Sequence, residues 1–163
     1  MVEALLKRNL KTHPQLDFPD YKSSRLRAPK NKKISFSSTS TEISGPVFNK
    51  NILGKLDNDL TLNFSKNNIL PIGHKIIVFG TISDQFANPI VGALIEIWQA
   101  NAAGKYLHHN DNNTAPIDPN FAGCGRYITS SKGYYEFITI QPGPYPYPNR
   151  GIEWRPMHIH FSV

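Results

Sequence analysis

The chain has 163 residues, 18 Lys/Arg against 12 Asp/Glu, a formal charge of +6, and 39% apolar but only 18% charged side chains. That composition is too apolar for a disordered polypeptide and long enough for one core, and no apolar run approaches the roughly 18 residues of a membrane span, so a soluble cytoplasmic protein is expected. The lone Cys124 excludes an intramolecular disulfide and a cysteine-built zinc site.

The charge is uneven. Residues 1–56 hold 11 Lys/Arg against 4 Asp/Glu, whereas residues 57–163 hold 7 against 8. The basic excess therefore belongs to an extended N-terminal arm, residues 1–56, expected to pack on the core or on a partner subunit, with one short helix at 2–11. The arm has no nucleic-acid motif and no interleaved aromatics, so neither nucleic acid nor a membrane is an expected partner.

Residues 57–163 read as one β-rich domain. The run 75–82 is a strand stopped by the turn-prone Ser83-Asp84-Gln85-Phe86-Ala87-Asn88-Pro89, and 92–99 is the next, with Leu94, Glu96 and Trp98 alternating against Ala93, Ile95 and Ile97. These two are expected to pair. Runs 126–130 and 134–140, separated by Ser131-Lys132-Gly133, suggest a short hairpin. A last strand starts near Met157. The class is all-β, an antiparallel β-sandwich with long loops. Two connections are unusual: 101–125 has no period, and 141–151 contains four prolines that hold Tyr145 and Tyr147 on a stiff backbone.

Met157-His158-Ile159-His160-Phe161 places two imidazoles at i and i+2, on one face of a strand. An isolated pair of this kind is more often two hydrogen-bonded histidines on a solvated sheet than a metal site. No carboxylate stands in fixed relation to the pair, which disfavours a zinc hydrolase or a ferrous two-histidine, one-carboxylate site. The plentiful extra donor in this half is tyrosine. Two anionic phenolates beside two imidazoles would favour ferric iron over ferrous.

The runs Gly143-Pro144-Tyr145-Pro146 and Trp154-Arg155-Pro156-Met157-His158-Ile159-His160-Phe161 resemble the signature of the intradiol ring-cleavage dioxygenases. Asp20-Tyr21-Lys22-Ser23-Ser24, Leu60-Thr61-Leu62-Asn63-Phe64, Ile97-Trp98-Gln99-Ala100-Asn101-Ala102 and Asp118-Pro119-Asn120-Phe121 extend the likeness over the whole chain, toward the protocatechuate-cleaving branch. The resemblance implies a non-haem Fe(III) held by Tyr106, Tyr145, His158 and His160, with Tyr145 also the base released on substrate binding and Arg155 the cation that stabilises developing negative charge. It implies substrate contacts from Tyr21, Arg27 and Tyr147, the last standing where relatives carry Trp. It further implies a catechol substrate and O2, assembly with a related α chain that lacks the metal ligands, and a place in aromatic catabolism. The likeness ends at Val163, three residues past His160, so a chain incomplete at its C-terminus and of doubtful activity alone is expected. Catechol or hydroxyquinol as substrate, and a transthyretin-like binding module without chemistry, are the competing readings.

Overall fold

The computed structural model describes residues 17–20, 25, 28–31, 40, 50–148 and 152–163; the expected helix at 2–11 and the arm residues Tyr21 and Arg27 lie outside them. The chain divides into two compact units, Met1–Val47 with Pro148–Glu153, and Phe48–Tyr147 with Trp154–Val163. The second is the β-sandwich, and the side chains discussed below belong to it.

Its strands are β1 (Lys75–Thr81), β2 (Leu94–Gln99), β3 (Cys124–Ile128), β4 (Tyr134–Ile140), β5 (Tyr145–Pro148), β6 (Ile152–Arg155) and β7 (Ile159–Ser162). In β2, Ile95, Ile97 and Gln99 are buried while Glu96 and Trp98 face out, as a β-branched, two-residue alternation requires on a half-buried pleat. β2 lies between β3 and β7, antiparallel to both, while β1 pairs antiparallel with β4. The backbone of residues 58–60 joins the second pair, with Leu60 N–H donating to the Ile138 carbonyl at 2.8 Å.

Two expected pairings are corrected. Runs 75–82 and 92–99 do not share a ladder: β1 goes to β4 and β2 to β3 and β7. Both strands turn apolar residues inward, and the connector between them carries the chain from one sheet to the other. Its turn is set by Asp84, whose carboxylate accepts the N–H groups of Phe86 and Asn88, each at 2.9 Å. The 126–130 and 134–140 runs likewise meet through a tight turn, with Ser130 N–H donating to the Tyr134 carbonyl at 3.0 Å and Gly133 at φ +68°. That turn too crosses between sheets instead of closing a hairpin. The proline-rich connection, expected to hold its tyrosines on a stiff backbone, contributes β5, which pairs with β6.

Leu60, Ile95, Ile97, Phe121, Phe137 and Ile140 form the shared core, with Val78, Tyr127, Tyr135 and Ile159 packed against it. Each such side chain is worth about 1.5–3 kcal/mol of apolar burial. Tyr135, expected as packing, meets Phe137 and Phe161. Buried Gln99 ties the layers: its amide donates to the Ile140 carbonyl at 2.8 Å and its carbonyl accepts from Thr139 Oγ1 at 2.8 Å. A fully satisfied buried amide adds registry without a desolvation penalty.

Candidate metal centre

β7 supplies His160, and the residue just before the strand is His158. Ile159 packs toward the core, so period 2 turns His158 and His160 to the opposite, outer face of the β3-β2-β7 sheet. His158 Nε2 and His160 Nε2 stand 3.1 Å apart. His158 Nδ1 lies 2.7 Å from the Pro156 carbonyl, which can only accept, so Nδ1 carries the proton and Nε2 presents its lone pair. His160 is pushed toward its neutral form by partial burial, then by His158 and Arg155.

The long loop supplies Tyr106. Asn101 organises it: Oδ1 accepts the N–H groups of Ala103 and Lys105 at 2.9 Å, and the backbone carbonyl accepts those of Gly104 at 3.0 Å and Gly143 at 2.9 Å. Gly104 has φ +77°, and a Cβ there would strike the Pro144 carbonyl. Only glycine therefore lets this loop touch the backbone that carries Tyr145. Beyond it, Asp111 accepts the Tyr106 N–H at 2.7 Å and Lys105 donates to the carbonyls of Asp111 (2.6 Å) and Asn113 (2.7 Å). Burial alone would raise the Asp111 pKa. Hydrogen bonds from the Tyr106 and Asn113 N–H groups, with the Lys105 charge, outweigh it and hold the carboxyl below its usual range.

The Tyr106 hydroxyl is buried and has no hydrogen-bond partner among the described residues. Burial, then the neighbouring Tyr145, pushes its pKa up to about 12, with Arg155 opposing. The Tyr106 and Tyr145 rings lie 5.5 Å apart at 89°, Tyr106 lies 6.4 Å from His160, and Tyr145 lies 5.7 Å from His158. Arg155 Nη1 donates to Tyr145 Oη at 3.1 Å, and its guanidinium stands 4.7 Å over the Tyr147 ring.

Six residues expected from the sequence, Tyr106, Tyr145, Tyr147, Arg155, His158 and His160, thus meet in one place; Tyr21 and Arg27 lie outside the described residues. Sequence reasoning missed Asn101, Lys105 and Asp111, which hold the Tyr106 loop, and Trp98, stacked on His160 at 4.7 Å and 3°. Alternation marks Trp98 as outward-facing, but no local signal names its partner. His108 and His109 pack on each other elsewhere on the loop.

Among the described residues, no three His, Cys, Asp or Glu side chains converge. The donors around the histidine pair are phenols. The set fits a metal ion: two nitrogens each about 2.1 Å from one ion and at right angles stand about 3 Å apart, close to the observed separation. A buried phenol oxygen without a partner is costly until something satisfies it. A hollow of about 490 Å³ lined by Asp57, Phe64, Glu96, Trp98 and Arg126 contains none of the four donors. The site is therefore marked by its chemistry and not by cavity size.

Comparison with known proteins agrees. The profile described as Dioxygenase matches residues 43–163, and that described as Protocatechuate 3,4-dioxygenase beta subunit N terminal matches residues 7–39. A protocatechuate 3,4-dioxygenase beta chain from Burkholderia cepacia is 45% identical over 159 residues, 98% of this chain and 67% of that one. A catechol 1,2-dioxygenase from Candida albicans is 33% identical over 105 residues, 58% of this chain and 33% of that one. The crystal structure of a 3-chlorocatechol 1,2-dioxygenase from Rhodococcus opacus superposes with a TM-score of 0.51 at 26% identity, covering 72% of this chain and 47% of that one. The chain spans two thirds of the Burkholderia protein and half or less of the other two. With one family profile across most of its length and this degree of identity, the chain belongs to the intradiol ring-cleavage dioxygenases, on the protocatechuate 3,4-dioxygenase beta-chain branch.

Proposed function

We propose that this chain is the catalytic β chain of a ferric, non-haem dioxygenase that opens protocatechuate between its two hydroxyl carbons with O2, giving 3-carboxy-cis,cis-muconate in the β-ketoadipate route of aromatic catabolism. The observation that carries this reading is the convergence of two phenols and two imidazoles, with a buried phenol oxygen left without a partner. Tyr106, Tyr145, His158 and His160 would hold the iron. Ferric iron supplies Lewis acidity and an electron-accepting centre to which a catecholate can chelate.

The chain's own side chains do the rest. Arg155 donates to Tyr145 Oη and so orients the oxygen that would take a proton from an arriving catechol hydroxyl. The same guanidinium is placed to stabilise negative charge that grows on substrate oxygen. Tyr147 lies beneath it and fixes its plane. Tyr21 and Arg27, both in the arm, would meet the substrate carboxylate. The match of residues 7–39 to a β-chain N-terminal profile supports that part for the arm, and supports assembly with an α chain in an αβ hetero-oligomer. No helix among the described residues is long and apolar enough to cross a membrane. The single free, exposed Cys124 suits a reducing compartment, and we place the protein in the cytoplasm.

The test is iron analysis, visible spectroscopy and O2 uptake on the chain purified alone and with a co-expressed α chain. A burgundy phenolate-to-iron band, one iron per chain, and faster O2 uptake with protocatechuate than with catechol or hydroxyquinol are expected. Preference for catechol or hydroxyquinol would move the substrate assignment. A colourless protein with stoichiometric zinc would refute the iron assignment.

A further inference from the structure

The two imidazoles are oriented by different means. His158 is fixed through its second ring nitrogen by the Pro156 carbonyl at 2.7 Å. A metal-binding histidine ordinarily needs such an acceptor to set its tautomer and ring plane. His160 has none among the described residues; its one polar contact is His158 Nε2. What it has is Trp98. The two residues are directly opposed across the β2-β7 ladder, and their rings lie parallel, 3° apart in plane and 4.7 Å between centroids.

We propose that Trp98 is the positioning residue of His160: its indole face holds the imidazole plane so that Nε2 points at the metal position, taking the place of the hydrogen bond that His158 enjoys. This rests on the reading that His160 is a metal ligand. The geometry favours a positioning role over ordinary cross-strand packing for two reasons. Trp98 faces out from the sheet and is 42% exposed, so it adds little to the core. The adjacent cross-strand pair points to the other face, where Ile97 is buried in the core and Phe161, half-exposed, packs on the Tyr135 ring that covers it. Ladder stability and imidazole orientation are therefore carried by different pairs, and substitutions can separate them.

The experiment compares ferric-ion affinity, the visible phenolate-to-iron band and thermal unfolding in the full chain and in Trp98→Phe, Trp98→Leu and Phe161→Leu. Trp98→Leu keeps an apolar side chain but removes the flat face, and should weaken ferric binding at least tenfold and broaden or shift the band with little change in Tm. Trp98→Phe, which restores a ring, should recover most of both. Phe161→Leu should lower Tm while leaving affinity and band unchanged. Wild-type affinity and band in Trp98→Leu would overturn the proposal. So would equal losses in Trp98→Leu and Phe161→Leu, because the effect would then travel through the ladder. If Trp98→Leu proves too unstable to purify, Trp98→Thr, which also lacks a flat face but suits a strand, takes its place, and wild-type affinity and band there would overturn the proposal. If the wild-type chain itself shows no phenolate-to-iron band, the iron reading has failed, an outcome distinct from any difference among variants.

Discussion

The two halves of the candidate metal centre are built by different means. His160 lies on β7 and His158 immediately before it, and the two-residue alternation around Ile159 turns both to a common face. Tyr106 comes from an irregular loop and Tyr145 from the start of β5, and the two segments meet because Gly104 passes against the Pro144 backbone and Asn101 accepts hydrogen bonds from both. The histidine side rests on adjacent residues of one extended segment, with the Pro156 carbonyl on His158 and the Trp98 face on His160. The tyrosine side depends on specific polar contacts and on one left-handed glycine, so it is the half that a small change should break.

Gly104→Ala should produce the largest effect. The left-handed conformation alone costs a Cβ-bearing residue roughly 1–2 kcal/mol, and the added carbon would meet the Pro144 carbonyl, so the two loops must separate. A fall in Tm of about 5 °C or more is expected for a chain of this size, with loss of the visible band. Retention of the band at full intensity would show that the loops tolerate separation and that the contrast drawn above is wrong.

The two tyrosines should respond with different signs. Tyr106→Phe deletes a buried hydroxyl that has no partner, so the iron-free chain should gain stability, by about 1 kcal/mol, while ferric affinity collapses. Tyr145→Phe removes the acceptor of an Arg155 hydrogen bond and should leave the iron-free chain no more stable than before. Paired denaturant unfolding of the iron-free proteins decides it, and destabilisation by Tyr106→Phe would mean that the oxygen is satisfied in solution.

This difference also explains what could be read from the sequence. Strand runs, the two-residue alternation of Ile95, Ile97 and Gln99, and the shared face of His158 and His160 are periodic features that a one-dimensional pattern carries. Tyr145 and Arg155 were found through motif resemblance, and so was Tyr106, which lies in a stretch with no period at all. Which strands pair was not legible, because both turn segments that look like hairpin connections instead cross between sheets. Asn101, Lys105 and Asp111 escaped notice because a loop's hydrogen-bond network depends on backbone positions that no spacing rule encodes.

Iron uptake should depend on pH through Tyr106. Its folded pKa is raised from 10.0 to about 12, so the neutral phenol is favoured; the associated stability is present below pH 10 and is lost as pH climbs toward 12. A metal must displace that proton, and apparent ferric affinity should rise by about tenfold per pH unit for each proton released. Ultraviolet titration of the iron-free chain should show one phenol ionising near pH 12 that is missing in Tyr106→Phe. Affinity flat across neutral pH would mean that no phenol gives up a proton on binding.

The smallest effect should come from the clamp on the Tyr106 loop. Asp111 accepts the Tyr106 and Asn113 N–H groups at 2.7 Å each and faces Lys105 Nζ at 3.4 Å, with both side chains largely buried. Its folded pKa is depressed, so the stability it adds is present above the ordinary carboxylate range and disappears as pH falls through the depressed value. Asp111→Asn keeps one accepting oxygen for two N–H groups that Asp111 meets with separate oxygens, and it gives up the charge opposite Lys105, so a loss of about 1 kcal/mol at neutral pH is expected. The wild-type chain should lose near-UV circular dichroism from the Tyr106 environment in acid before global unfolding, whereas the variant should show the weaker signal at neutral pH and no further step. Hydrogen exchange at the Tyr106 amide gives the same information at one site. An identical acid step in Asp111→Asn would assign the clamp's pH response to another carboxylate and leave Asp111 as a hydrogen-bond acceptor only, in which case the loop is held by the Asn101 contacts and the Gly104 approach alone.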